Sequence, residues 1–124
     1  MHSFKLIAVG NLARSPEVFE KGDNTYTNFC LIGNDYAGKD AEGNPKEVVT
    51  SLYFVAFNGT GEAIARNARK GDQLIVEAHI RANNWTDDQN EKHYDYSYIV
   101  DSFKFGAKGR LSRDEQAQRR DGED

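Results

Sequence analysis

Arg81, Asn83 and Trp85 occupy alternate positions of one run, so an extended chain would set a guanidinium, an amide and the protein's single tryptophan on one face. With Ile75, Glu77 and His79 they make up the outward side of a strand whose other positions, Leu74, Val76, Ala78, Ile80 and Ala82, are apolar and read as a core face. A flat ring beside a cation suits stacking on bases and neutralising phosphates, not bond-breaking chemistry. Tyr53 and Phe57 repeat the pattern. They alternate against Leu52, Phe54 and Ala56, and aromatics on the outer face of such a strand need a nucleic acid, a second subunit or a covering loop. Tyr36, at the mouth of a long polar loop, is a further stacking candidate. Lys39, Lys70 and Arg81 are the phosphate contacts under this reading; taken singly, each is also an ordinary solvated charge. Trp85 likewise has a plainer alternative, packing on its own hairpin. Tyr94, Tyr96 and Tyr98 alternate too, and they read as a packed ladder or a subunit contact.

Catalytic and metal chemistry have little support. His2, His79 and His93 show no ligand spacing, Cys30 has no partner cysteine, and Asp87–Glu91 lacks the glycine and alternation of a calcium loop. There is no phosphate-cradling glycine loop and no nucleophile motif. The expectation is a non-enzyme with no cofactor and no metal.

The elements that must position these residues are mostly strands. Phe4–Ala13 is strand-like, with Gly10 inside it, where a glycine marks a bend of the kind a small closed barrel requires. After Ser15-Pro16 a short segment, 17–20, leads to the turn cluster Gly22-Asp23-Asn24. Strands follow at 25–36, 48–57, 73–85 and 94–105. The spacing predicts one helix over 60–70, with Thr60 as N-cap, Glu62 in the first turn, Arg69 and Lys70 in the last, and Gly71 as the stop. Three strands, a helix and two strands is the order of a five-stranded Greek-key barrel of the oligonucleotide-binding (OB) type, all-β with a short helix between strands three and four. Residues 1–105 would form this domain. Residues 106–124 are nearly all small or charged and predict a disordered polar tail.

The chain has 124 residues, enough for one core and too few for two ordinary ones. Its formal net charge of −4 argues against a generally basic nucleic-acid binder, so any phosphate site must be local. The acidic excess lies within residues 1–104. A lone cysteine points to a reducing compartment, and no run resembles a signal peptide or a membrane span. A cytoplasmic, nucleoid-associated protein without a membrane partner is expected.

Four segments carry a family resemblance: V-G-N-L-A-R-S-P-E-V at Val9–Val18, V-A-F-N-G-T-G-E-A-I-A at Val55–Ala65, R-K-G-D at Arg69–Asp72 and W-T-D at Trp85–Asp87. In this order and spacing they resemble the bacterial single-stranded DNA-binding protein family, over about residues 4–105. The resemblance implies an OB fold, assembled as a homotetramer, that wraps single-stranded DNA without sequence preference and protects it during replication, recombination or repair. It places stacking aromatics on Tyr36 (where a tryptophan is common), Phe57 and Trp85, and basic contacts on Lys39, Lys70 and Arg81.

The chain also departs from the family pattern. Ser51 stands where many relatives carry another aromatic, and Tyr53, two residues on and on the same face, compensates. Asn83 and Asn84 stand where relatives are often basic. Each lost stack would weaken binding by about 1–3 kcal/mol. The terminal step Arg119–Asp124 is acidic at its end without the proline-phenylalanine anchor through which relatives recruit replication and repair enzymes. These departures suit a divergent version carried by a plasmid or other mobile element. They also leave open a second function, an OB-fold interaction adaptor of a replication-restart or conjugation complex with weak DNA binding.

Overall fold

A computed structural model describes residues 2–123, with side chains through Arg119. Its elements run β1 (Lys5–Leu12), β2 (Glu17–Lys21), β3 (Asn24–Lys39), β4 (Pro45–Phe57), α1 (Asn58–Asn67), β5 (Gln73–Thr86), β6 (Lys92–Phe105) and α2 (Arg110–Glu123). The strands pair in the order β1-β5-β6-β4-β3, and β1 then pairs with β3, so five strands close into a ring. All neighbours are antiparallel except β4 and β6, which meet in parallel at Val55 and Ile99. This closure and connectivity are those of the OB barrel. The segment read as a short connector is a sixth strand, β2, which forms a hairpin on β3 outside the ring.

The ring closes where β1 changes partners. Gly10 still faces Leu74 of β5, Asn11 pairs with both Gln73 and Ile32, and Leu12 faces Leu31 of β3. A Cβ on Gly10 would stand 2.9 Å from the Ile32 carbonyl oxygen, so only glycine lets the two backbones come this close.

Alternation decides the core. Phe29 and Leu31 of β3, Phe54 and Ala56 of β4, Leu74, Val76 and Ala78 of β5 and Val100 of β6 all point inward and are buried. Phe29 pairs directly with Phe54, and their rings stack at 5.4 Å. Full burial of one such side chain contributes roughly 1.5–3 kcal/mol, so this interior supplies the main driving force for folding. Ile80 and Ala82 continue the inward series of β5 but are half-buried and exposed respectively, because the β5–β6 hairpin runs on past the rim of the barrel.

The helix α1 plugs the barrel end through Ile64. It starts earlier than the capping pattern suggests. Asn58 takes a positive φ of 50°, tolerated by its short amide, and its Oδ1 accepts the Thr25 N–H, so the chain turns from β4 straight into the helix. The helix ends at Asn67, and Arg69 folds back to donate to the carbonyls of Ala65, Arg66 and Ala68. A cation on the last exposed carbonyls is favourable whether or not its residue is helical.

Within residues 106–124, for which the composition predicts disorder, α2 covers Arg110–Glu123. The cause is Asp72. Its buried carboxylate accepts the N–H of Gly109 at 2.6 Å, the hydroxyl of Ser112 at 2.6 Å and the N–H of Arg69 at 2.9 Å, while Arg69 pairs with Glu115 at 3.2 Å. Burial alone would push this carboxyl up; the bonds from Ser112, Arg69 and Gly109, with the charge of Lys108, outweigh it and hold the group below its ordinary value. Of the terminal step Arg119–Asp124, the side chains after Arg119 lie outside the described residues.

Candidate nucleic-acid interface

Paired residues share a sheet face, and this places the candidate aromatics on one surface. Tyr36, Cys30 and Tyr26 of β3 face Glu47, Tyr53 and Phe57 of β4. Val55 lies between Tyr53 and Phe57 on that face and meets Ile99 of β6, which pairs with His79 of β5. Alternation from His79 then carries Arg81, Asn83 and Trp85 outward on the same side. Tyr36 is 67% exposed, Tyr53 63%, Phe57 47% and Trp85 47%, so four rings stand open to solvent on one face of the sheet, Trp85 on the part of the β5–β6 hairpin that runs past the rim.

Each ring is held differently. Trp85 lies on its cross-strand partner His93, with ring centroids 4.1 Å apart and planes 14° from parallel, and its Nε1–H donates to Asp95 Oδ2 at 2.8 Å. The imidazole is itself fixed by Asp87 Oδ2, 2.9 Å from His93 Nε2. That hydrogen bond, with the Glu91 and Gln89 N–H groups, holds the Asp87 carboxyl below its usual range. The indole is thus held in one orientation while it stays half exposed. Tyr53 is held by Arg14, whose Nη2 donates to the phenol oxygen at 3.2 Å and whose guanidinium carbon lies 5.8 Å from the ring centroid. Phe57 sits across from Tyr26, which stacks on Phe19 of β2 at 5.2 Å.

The candidate cations are not gathered at one point. Arg81 is exposed on the same face as Trp85. Lys70 lies in the turn after α1, where its N–H donates to Ser15 Oγ, next in the chain to Arg14 and so near Tyr53. Lys39 stands apart. It lies beyond a register shift at the far end of the β3–β4 hairpin, past Tyr36.

Arg14, His93 and Asp95 were not singled out from the sequence. His93 was within reach of it, since a turn centred on Asp87–Glu91 pairs Trp85 with His93 by register alone. Asp87, Glu91 and His93 also bring one donor atom each within 4.8 Å, the one such grouping among the described residues. With His93 and Asp87 already hydrogen-bonded, their evident work is to seat the imidazole beneath Trp85. Tyr98 packs against Phe54 with ring centroids 5.9 Å apart, as a ladder would, whereas Tyr94 and Tyr96 stay exposed on the overshooting hairpin.

Known proteins share this sequence pattern over the whole barrel. The model of the "Single-strand binding protein family" matches residues 3–106. The chain is 32% identical to "Single-stranded DNA-binding protein 1" of Xylella fastidiosa (strain 9a5c) over 91 residues, 73% of this chain and 67% of that protein. It is 31% identical over 103 residues to "Single-stranded DNA-binding protein" of Clostridium perfringens (strain 13 / Type A), covering 82% of this chain and 64% of the relative. The match therefore spans about two thirds of these relatives' length. A chain matched by the family model over its whole barrel, and 32% identical to a relative of which it covers 67%, belongs to the single-strand binding protein family.

Proposed function

We propose that this protein binds single-stranded DNA without sequence preference, coating and protecting it during replication, recombination or repair. The observation that carries the reading is the single sheet face, running from the barrel onto the β5–β6 hairpin, on which Tyr36, Tyr53, Phe57 and Trp85 are all exposed. Every base has a π-face, so rings spaced along a curved wall hold an unpaired strand whatever its sequence, whereas a duplex keeps its bases stacked within itself. Arg81, Lys70, Lys39 and Arg14 follow the phosphates. The reaction is binding alone, without catalysis or a cofactor.

The active form is a homo-oligomer, which we take to be a tetramer. Phe4, Ile7, Val9, Tyr94 and Tyr96 are exposed, and large apolar side chains left open suit contact with further copies of the chain. Light scattering reads the assembly directly, and a monomeric mass at working concentration overturns that part of the reading.

The decisive experiment is titration with oligo-dT while tryptophan emission is followed at two salt concentrations. Trp85 is the only tryptophan, so stacking on it should quench nearly all emission, and raising the salt should weaken binding. Unchanged emission at low salt refutes the proposal.

A further inference from the structure

We infer that Arg66, Lys108 and Arg119 form a second phosphate-binding cleft, which continues the path of single-stranded DNA from the aromatic wall onto α2. The inference rests on the reading given under Proposed function. The cleft, of about 210 Å³, lies between the end of α1 and α2 and is lined by four cations, Arg66, Arg69, Lys108 and Arg119, against one carboxylate, Glu115. In a chain of net charge −4 this is a local reversal of sign.

Glu115 on Arg69 and the buried charge of Asp72 beside Lys108 reduce that reversal without cancelling it. Arg69 is engaged by Glu115 at 3.2 Å and by three carbonyls at the end of α1. Arg66, Lys108 and Arg119 have no carboxylate within 4.0 Å among the described residues, and all three are exposed. Lys108 lies over the Phe105 ring at 5.5 Å, and the buried Asp72 nearby has its oxygens taken by Arg69, Gly109 and Ser112. Three like charges held together repel one another, and a ligand with several regularly spaced negative charges relieves that repulsion best. A phosphodiester backbone is such a ligand.

Continuity selects the strand already on the wall. Arg14 holds Tyr53, Ser15 next to it accepts the Lys70 N–H, and Lys70 is followed back along the chain by Arg69 at the edge of the cleft. A backbone leaving the wall at Tyr53 passes Arg14 and Lys70 and arrives at the cleft. Because Asp72 anchors the start of α2, Arg119 is delivered by an ordered element.

The test uses the full chain with Arg66→Ala, Lys108→Ala and Arg119→Ala combined, and Arg119→Ala alone as a second variant should the first lose α2 by circular dichroism. Each is titrated by Trp85 quenching with dT of about 8 nucleotides, within the range one such barrel covers, and with dT several times longer, at three salt concentrations. The short strand should bind both variants as it binds the parent. The long strand should bind more weakly, with the slope of log K against log salt reduced by about 2 in the triple variant and about 0.7 in the single one. An unchanged slope with the long strand overturns the cleft. Failure of the parent chain to bind even the short strand instead refutes the reading on which the inference rests.

Discussion

The stretch from Arg69 to Trp85 treats its polar and aromatic groups in opposite ways at its two ends. At the near end Asp72 is buried and both carboxylate oxygens are answered, by Gly109, Ser112 and Arg69. At the far end Trp85 has one ring face on His93 and its N–H on Asp95, while 47% of the residue remains in water. The first site is completed by the chain itself and stabilises it. The second is oriented by the chain and left incomplete, and this is how a surface looks when another molecule supplies the remaining contacts.

The largest effect should come from breaking the completed end. Asp72→Ala strands the Ser112 hydroxyl and the Gly109 and Arg69 N–H groups, and hydrogen bonds to a charged acceptor contribute roughly 1.5–3 kcal/mol each. The variant also sheds the cost of burying the carboxylate, so we expect a net loss of about 3 kcal/mol in thermal or urea unfolding, below the sum of the three bonds, with loosening of α2 in hydrogen exchange and no change in tryptophan quenching by a short dT. The same carboxylate fixes a pH dependence. Its value in the folded chain lies below its ordinary 3.8, so its contribution is complete above 3.8 and is lost as the pH falls through the lower folded value. Asp72→Asn should flatten the acid limb of the stability profile; a limb unchanged by that substitution would assign the acid sensitivity elsewhere.

The incomplete end should respond in the reverse manner. Trp85→Ala removes a ring that is itself half exposed and packs mainly on the half-buried imidazole of His93, so stability should fall little. Affinity for dT should drop by about 1–3 kcal/mol, roughly fivefold to 150-fold. Because the variant has no tryptophan, competition against labelled dT is the suitable measurement. An unaltered affinity with altered assembly would assign Trp85 to subunit contact. Gly61 probes the packed end again. A Cβ there would lie 2.5 Å from both the Ala56 carbonyl oxygen and Thr27 Oγ1, so Gly61→Ala should lift α1 and cost about 1–3 kcal/mol without changing the stacking wall.

What could be read in the sequence divides along the same line. The inward series Leu74, Val76, Ala78 and the outward series Arg81, Asn83, Trp85 follow from alternation, a local rule, and the order of strands and helix followed from it. Asp72 was legible only as part of a motif, since its partners Gly109 and Ser112 lie 37 and 40 residues away and nothing local marks them. Arg14 was missed for the same reason, reaching Tyr53 across 39 residues. Composition suggested disorder for α2 because a helix with few apolar residues gains little from burial, and here a buried ionic anchor substitutes for it. The helix α1 was displaced by two residues at its start because the amide of Asn58 can adopt a positive φ and bond Thr25, an option that a search for N-caps does not weigh.

The smallest expected effect refines the contrast from inside the barrel. Thr27 is fully buried beneath α1, yet its Oγ1 has no hydrogen-bond partner among the described residues. A buried hydroxyl without a partner keeps its desolvation cost, about 1–3 kcal/mol, with nothing to offset it. Thr27→Val replaces the hydroxyl by a methyl of similar size and keeps the β-branched shape that a strand favours. The variant should be more stable by about 1 kcal/mol, a rise in melting temperature of about 4 °C for a domain this size. Thr27 faces inward with Phe29, away from Tyr26 and the aromatic wall, so dT affinity should be unchanged. A fall in melting temperature would instead mean that the hydroxyl is answered by a buried water, which would make this end of the barrel as fully satisfied as the anchor at Asp72.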